Sequence, residues 1–136
     1  MSQCEVWKKK YPDAQAWGFG DSPQMADELA ALVVKGVKTA SCGSLTSYEA
    51  DPLIPRIGSY HIILNGQGDA VCVIRIIALR LWRFSQVTQE LAYKEGEGDR
   101  SLNYWRREHE AFFRREGGFS ETMELVAEEF ELVEIL

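Results

Sequence analysis

The sequence predicts an α+β fold, a small β-barrel of about five to six strands with helices packed around it. Three observations lead there. Two runs rich in β-branched and aromatic residues, 60–64 and 71–84, flank a hairpin signal. A third such run closes the chain at 125–136. Two segments of helical period, 23–35 and 101–116, interrupt the strands, so the sheet must curl beneath them.

The elements follow in order. Ser22 and Pro23 supply an N-cap and a first-turn proline, and Met25, Leu29, Leu32 and Val33 recur at helical spacing until Gly36. Residues 37–48 hold small and polar side chains around Lys38-Thr39-Ala40-Ser41-Cys42-Gly43-Ser44, a loop or strand-to-helix turn that presents hydroxyls and backbone N–H groups. Pro52, Pro55 and Gly58 punctuate the approach to the strand Tyr60–Leu64, and Asn65-Gly66 marks the hairpin. Val71 to Phe84 is too long for a flat strand and reads as one strand bent by a bulge or two meeting at a corner. Leu102, Trp105, His109, Phe112 and Phe113 share one face of the second helix, Arg106, Arg107, Glu110, Arg114 and Arg115 line the other, and Gly117-Gly118 stops it.

With 136 residues, 46% hydrophobic, the chain fits one domain spanning 1–136 and can bury most of its surface. The start has no apolar run of the signal-peptide kind, and no stretch approaches the ~18 apolar residues of a membrane span, so a cytoplasmic protein is expected. Cys4, Cys42 and Cys72 are odd in number and widely spaced, which reads as reduced thiols. The net charge of −6 is concentrated at the end, since Glu121, Glu124, Glu128, Glu129, Glu131 and Glu134 meet no Lys or Arg after Phe119. A neutral body without a basic stripe points away from duplex tracking and toward a nucleoside, a nucleotide or a short single strand of RNA.

Four patterns occur in sequence: Trp17-Gly18-Phe19-Gly20, Gly36-Val37-Lys38-Thr39-Ala40-Ser41, Glu95-Gly96-Glu97-Gly98-Asp99, and Trp105-Arg106-Arg107-Glu108-His109 with Phe112-Phe113. Together they resemble the ASCH family of the PUA-like superfamily, from about Trp17 to about Phe130. The resemblance implies a PUA-like barrel with a cleft beside Lys38-Thr39 and a role in RNA or nucleoside metabolism. Some small members of the family resemble amidohydrolases that deacetylate N4-acetylcytidine with a lysine, a hydroxyl residue and a glutamate; others are described as ribonucleases. Carried over, the lysine falls on Lys38, the hydroxyl on Ser41, where the amidohydrolase pattern has threonine, and the glutamate on Glu95.

In that chemistry Lys38, its pKa lowered by a desolvating cleft, would be the base that takes the proton of the Ser41 nucleophile. Glu95 would protonate the leaving amine or activate water. The i,i+3 spacing lets Lys38 and Ser41 converge in a helical turn but not in a strand. Each has a plainer alternative: Lys38 as a solvated cation beyond a helix C-terminus, Glu95 as a capping carboxylate. Trp17, Thr39, Tyr93 and Glu97 are the candidate substrate-binding residues, with Trp17 and Tyr93 either stacking on a base or packing in the core. Phe19 and His109 read as core, and His61 has no obvious strand partner. No cofactor is expected; Glu95, Glu97 and Asp99 match no all-oxygen metal cage, so no metal is expected either. The leading expectation is a hydrolase cleaving an amide on a modified nucleoside, ahead of a ribonuclease on single-stranded RNA or a non-catalytic RNA- or nucleotide-binding module.

Overall fold

The computed structural model describes residues 3–136, side chains from Val6 onward, so the Cys4 thiol lies outside the described residues. In chain order the elements are α1 (Gln3–Lys10), β1 (Gln15–Trp17), α2 (Pro23–Val34), β2 (Ala40–Ser44), α3 (Leu45–Ala50), β3 (Tyr60–Leu64), β4 (Ala70–Arg83), α4 (Gln89–Glu95), α5 (Leu102–Glu116) and β5 (Glu124–Ile135), with a 3₁₀ turn at Phe84–Gln86. The strands form one five-stranded sheet in the order β1-β3-β4-β5-β2. It curls into a half-barrel, and among the described residues its two edge strands, β1 and β2, are not paired with each other. The expected barrel is therefore open along one seam.

Local chemistry explains most of the boundaries. Ser22 Oγ accepts from the Met25 N–H at 3.1 Å and begins α2. Asn65 Oδ1 accepts from the N–H groups of Gln67 and Asp69, which folds the β3–β4 hairpin. The long run is one strand: β4 shifts register at Val73/Ile74 and Ile76/Ala78, and these bulges let it pair with β3 at one end and β5 along its length. Ser101 caps α5 by accepting from the Tyr104 N–H, and Gly117 ends it in the left-handed conformation. Five elements lie outside the predicted set, α1, β1, β2, α3 and α4, all of eight residues or fewer, and β2 with α3 replaces the loop or strand-to-helix turn expected over 37–48.

Two apolar layers fix the sheet. On one face α4 and α5 bury Leu91, Ala92, Trp105 and Phe113 against Ala40, Leu125 and Ala127. On the other, α2 packs Ala30 and Val33 with Phe19 against Ile63, Ile74, Ile76 and Phe130. Phe19 is core as expected. His61 gains partners that sequence did not supply: its Nδ1 accepts from the Trp17 indole N–H at 3.0 Å, leaving Nε2 to donate to Ser59 Oγ at 2.8 Å. Burial pushes its pKa down, in keeping with a neutral ring.

Candidate active site

The segment after α2 runs extended into β2, and it passes tightly against the turn that ends α4. Gly96 makes this possible. Its φ is +73°, and a Cβ there would stand 2.5 Å from the Val37 carbonyl oxygen. Replacing Gly96 with alanine is expected to cost about 2 kcal/mol or more, from left-handed strain plus displacement of the Val37 backbone. Urea denaturation measures this loss. Gly98 has the same role one step on, where a Cβ would collide with the Tyr104 ring.

That close approach sets Lys38 against the 95–97 turn. Lys38 is 1% exposed, and its Nζ donates to the Ala40 carbonyl at 2.9 Å, the Glu95 carbonyl at 3.3 Å and Glu97 Oε2 at 2.9 Å, with Glu95 Oε1 at 3.5 Å. Burial alone would push the amine toward neutrality, as the sequence reading supposed. The charges of Glu95 and Glu97 outweigh it, and the pKa lies above the ordinary lysine value. Lys38 is an ammonium, not a free-amine base.

Glu95 is equally buried. Its Oε2 accepts from the Trp105 indole N–H, and its Oε1 lies 3.4 Å from His109 Nε2. Burial raises its pKa, but the charges of His109 and Lys38 and the hydrogen bonds from His109 and Trp105 bring it down to about 2. It is a carboxylate at neutral pH and has no proton to give to a leaving group. His109 stacks on Trp105, with ring centroids 4.1 Å apart, and places Nδ1 at 2.9 Å from the Trp105 carbonyl. Both ring nitrogens face acceptors. Burial disfavours the imidazolium, yet Glu95 overrides it and raises the pKa. The Cys42 thiol, pushed well up by burial and then by its hydrogen-bonded partner Glu95, stays protonated.

These groups line one cavity of about 480 Å³, in the range of small-molecule sites. Lys38, Ser41, Glu95 and Glu97 all border it, together with Cys42, Tyr104 and His109. Its remaining charged groups are Asp21, Glu28 and Glu108 against Arg115, so carboxylates outnumber cations. Ser41 sits on a strand, not on the helical turn that would aim it at Lys38, and its hydroxyl makes no hydrogen bond among the described residues. Glu95, Glu97 and His109 hold ligand atoms within 4.8 Å of one another, a spacing that could grip a metal ion, although Lys38 already places a positive charge against both carboxylates. Asp99 belongs elsewhere: it accepts from the Ser101 N–H at 2.9 Å at the start of α5.

Three candidate binding residues do not border this cavity. Thr39 is exposed and donates to the Lys94 carbonyl at 3.3 Å, tying the segment to α4. Tyr93 is 54% exposed with the Arg100 guanidinium 3.5 Å over its ring, so a base has no free face to stack on at that side. Trp17, held by His61, borders a second cavity of about 730 Å³ between edge strands β1 and β2. Ser41 and Cys42 border both cavities. Sequence reasoning left out Tyr104 and read Cys42 as a reduced thiol and His109 as core, whereas both stand against Glu95 at the cavity. The signal for His109 was its i,i+4 spacing from Trp105 within the quoted helix pattern.

The ASCH domain family model matches residues 15–134. The chain belongs to the ASCH family. Its fold is PUA-like, and ASCH domains are generally associated with RNA. This ASCH domain is 34% identical to the ASCH domain from Lactobacillus crispatus JV V101, over 97% of this chain and 86% of that one, with a TM-score of 0.82. It is 35% identical to protein EF3133 from Enterococcus faecalis V583, over 96% of this chain and 88% of that one, with a TM-score of 0.85. A mutant of the ZmASCH protein from Zymomonas mobilis, 16% identical over 80% of this chain and 67% of that one, shares the fold at a TM-score of 0.51. No curated protein matches the sequence. Among the described residues no helix is long and apolar enough to cross a membrane.

Proposed function

We propose that this ASCH domain is a cytoplasmic hydrolase that cleaves an amide on a modified nucleoside such as N4-acetylcytidine. The observation that carries the reading is that Ser41, Lys38 and Glu95, a hydroxyl residue, a buried ammonium and a buried carboxylate, all border one cavity of about 480 Å³. Ser41 Oγ attacks the acyl carbon, and the charge that develops on the carbonyl oxygen falls beside the Lys38 ammonium. Glu97 is the outermost acceptor of that ammonium, its side chain 18% exposed, and its bond is the one a substrate oxygen replaces. Glu95 stays ionised and holds Lys38 and His109 in place.

The charge of the cavity favours a nucleoside over a phosphorylated strand, because a wall richer in carboxylates than cations repels a phosphate backbone. Phosphodiester cleavage is the second reading, with Lys38 stabilising charge at phosphorus, and a module that binds without turnover is the third. Incubation with N4-acetylcytidine and, separately, with short unmodified RNA separates the three when products are weighed by mass spectrometry. Cytidine and acetate from the first and intact RNA from the second are expected. Shortened RNA with untouched nucleoside would transfer the site to phosphodiester chemistry. Thermal stabilisation by nucleoside without product would leave a binding module.

A further inference from the structure

We propose that Glu128 on β5 is the general base that takes the Ser41 proton, an inference that rests on the hydrolase reading above. The reaction needs a base, and the residues around Lys38 do not offer one. Lys38 is already protonated, and Glu95 is bound among Lys38, His109 and an indole N–H. Glu128 stands directly opposite Ser41 in the antiparallel pairing of β2 with β5. Side chains so opposed project from the same face with Cβ atoms roughly 5 Å apart, within reach of a hydrogen bond after a rotamer change. Both residues border the cavity between β1 and β2, and Ser41 also borders the Lys38 cavity, so this residue is common to the two.

Glu128 is also free to act. Glu129 is tied to Lys94 and Arg80, and Glu134 to Lys10, whereas the Glu128 carboxylate makes no hydrogen bond or ion pair among the described residues. The titratable groups around it are Tyr48 and Asp51 of the α3 region, Cys42 on β2, and Asp13 across the cavity, none of them cationic. Burial first, and Asp51 second, lift its carboxyl to about 7. A base with that affinity is ionised in about half the molecules at neutral pH and still strong enough to accept a proton.

The steps balance. As the Ser41 Oγ–carbon bond forms, the hydroxyl proton passes to Glu128 and the carbonyl electron pair moves to the oxygen facing Lys38. Collapse breaks the carbon–nitrogen bond, and Glu128 returns the proton to the departing amine. Water then attacks the acyl-serine, gives a proton to Glu128, and the released serine recovers it; one water is consumed per amide cleaved.

The test is kcat against pH with N4-acetylcytidine for wild type, Glu128→Gln and Glu128→Asp. Wild-type kcat is expected to rise with an apparent pKa near 7. Glu128→Gln should lower kcat by roughly 10²–10⁴-fold with KM little changed and lose that rise, while Glu128→Asp recovers part of the rate. The melting midpoint of Glu128→Gln at pH 8 should match or exceed wild type, since a buried charge has been removed. A glutamine variant that keeps wild-type kcat, or a wild-type profile without the rise, overturns the role of Glu128 and leaves Ser41 and Lys38 in place. Absence of any wild-type turnover removes the hydrolase reading, and this inference with it.

Discussion

Ser41→Ala is expected to abolish deacetylation, with kcat lower by at least roughly 10⁴-fold, because the attacking atom is gone and water alone must replace it. The fold should not notice. Ser41 is half-buried at an edge strand and its hydroxyl makes no hydrogen bond among the described residues, so a change of no more than about 0.5 kcal/mol in unfolding free energy is expected. The pairing of lost turnover with unchanged stability distinguishes a nucleophile from a scaffold residue. Lys38→Ala should abolish turnover too, but at a cost in stability, since Glu95 and Glu97 would lose their shared counter-charge. Wild-type-like turnover in either variant would remove that residue from the mechanism.

Glu95→Gln is expected to lower unfolding free energy at pH 7 by about 3–5 kcal/mol, as breaking a buried ion pair from one side does. Its side chain is 1% exposed and faces Lys38, His109 and the Trp105 indole together. The amide has the shape of the carboxyl but not its charge, so Lys38 would keep only Glu97 as a counter-charge and His109 would lose its charged partner. The dependence on pH has a definite sign. The folded carboxyl titrates at about 2 against 4.5 for an ordinary one, so its contribution is present above pH 4.5 and fades as pH falls through 2. His109 titrates above its ordinary 6.5, so its share is complete below that value and declines as pH rises through the raised pKa. The gap between wild type and Glu95→Gln, measured by urea denaturation, should therefore narrow toward pH 2. A double variant, Lys38→Met with Glu95→Gln, should lose less than the two single losses combined, because neither charge is then left alone. A gap constant from pH 7 to pH 2 would mean that shape, not charge, sets the effect.

The legible parts of the fold were those with local signals. Ser22-Pro23 and Gly36 bounded α2, Asn65-Gly66 located the hairpin, and the Trp105–Phe113 face of α5 gave its period. Strand β1 has three residues, too few for alternation to declare itself, and its parallel pairing with β3 depends on contacts 46 residues away in sequence. In the site, Lys38 and Glu95 are 57 residues apart, and what linked them beforehand was family resemblance, not spacing. The protonation of Lys38 could not be read at all, because it depends on two carboxylates entering the same dry space. One feature was within reach: neighbours in an extended segment point to opposite sides, so an inward Lys38 sends Thr39 outward.

The seam between β1 and β2 also bears on how two copies of the chain would meet. Each edge carries a row of main-chain donors and acceptors without a sheet neighbour, the kind of template on which separate chains stack. Asp13, Asp51 and Glu128 border the cavity along that seam, and among the described residues no Lys or Arg does. Two copies approaching edge to edge would bring like charges together, and the repulsion fades as the carboxyls take up protons in acid. The acidic mouth of the seam is thus a guard against self-stacking at neutral pH.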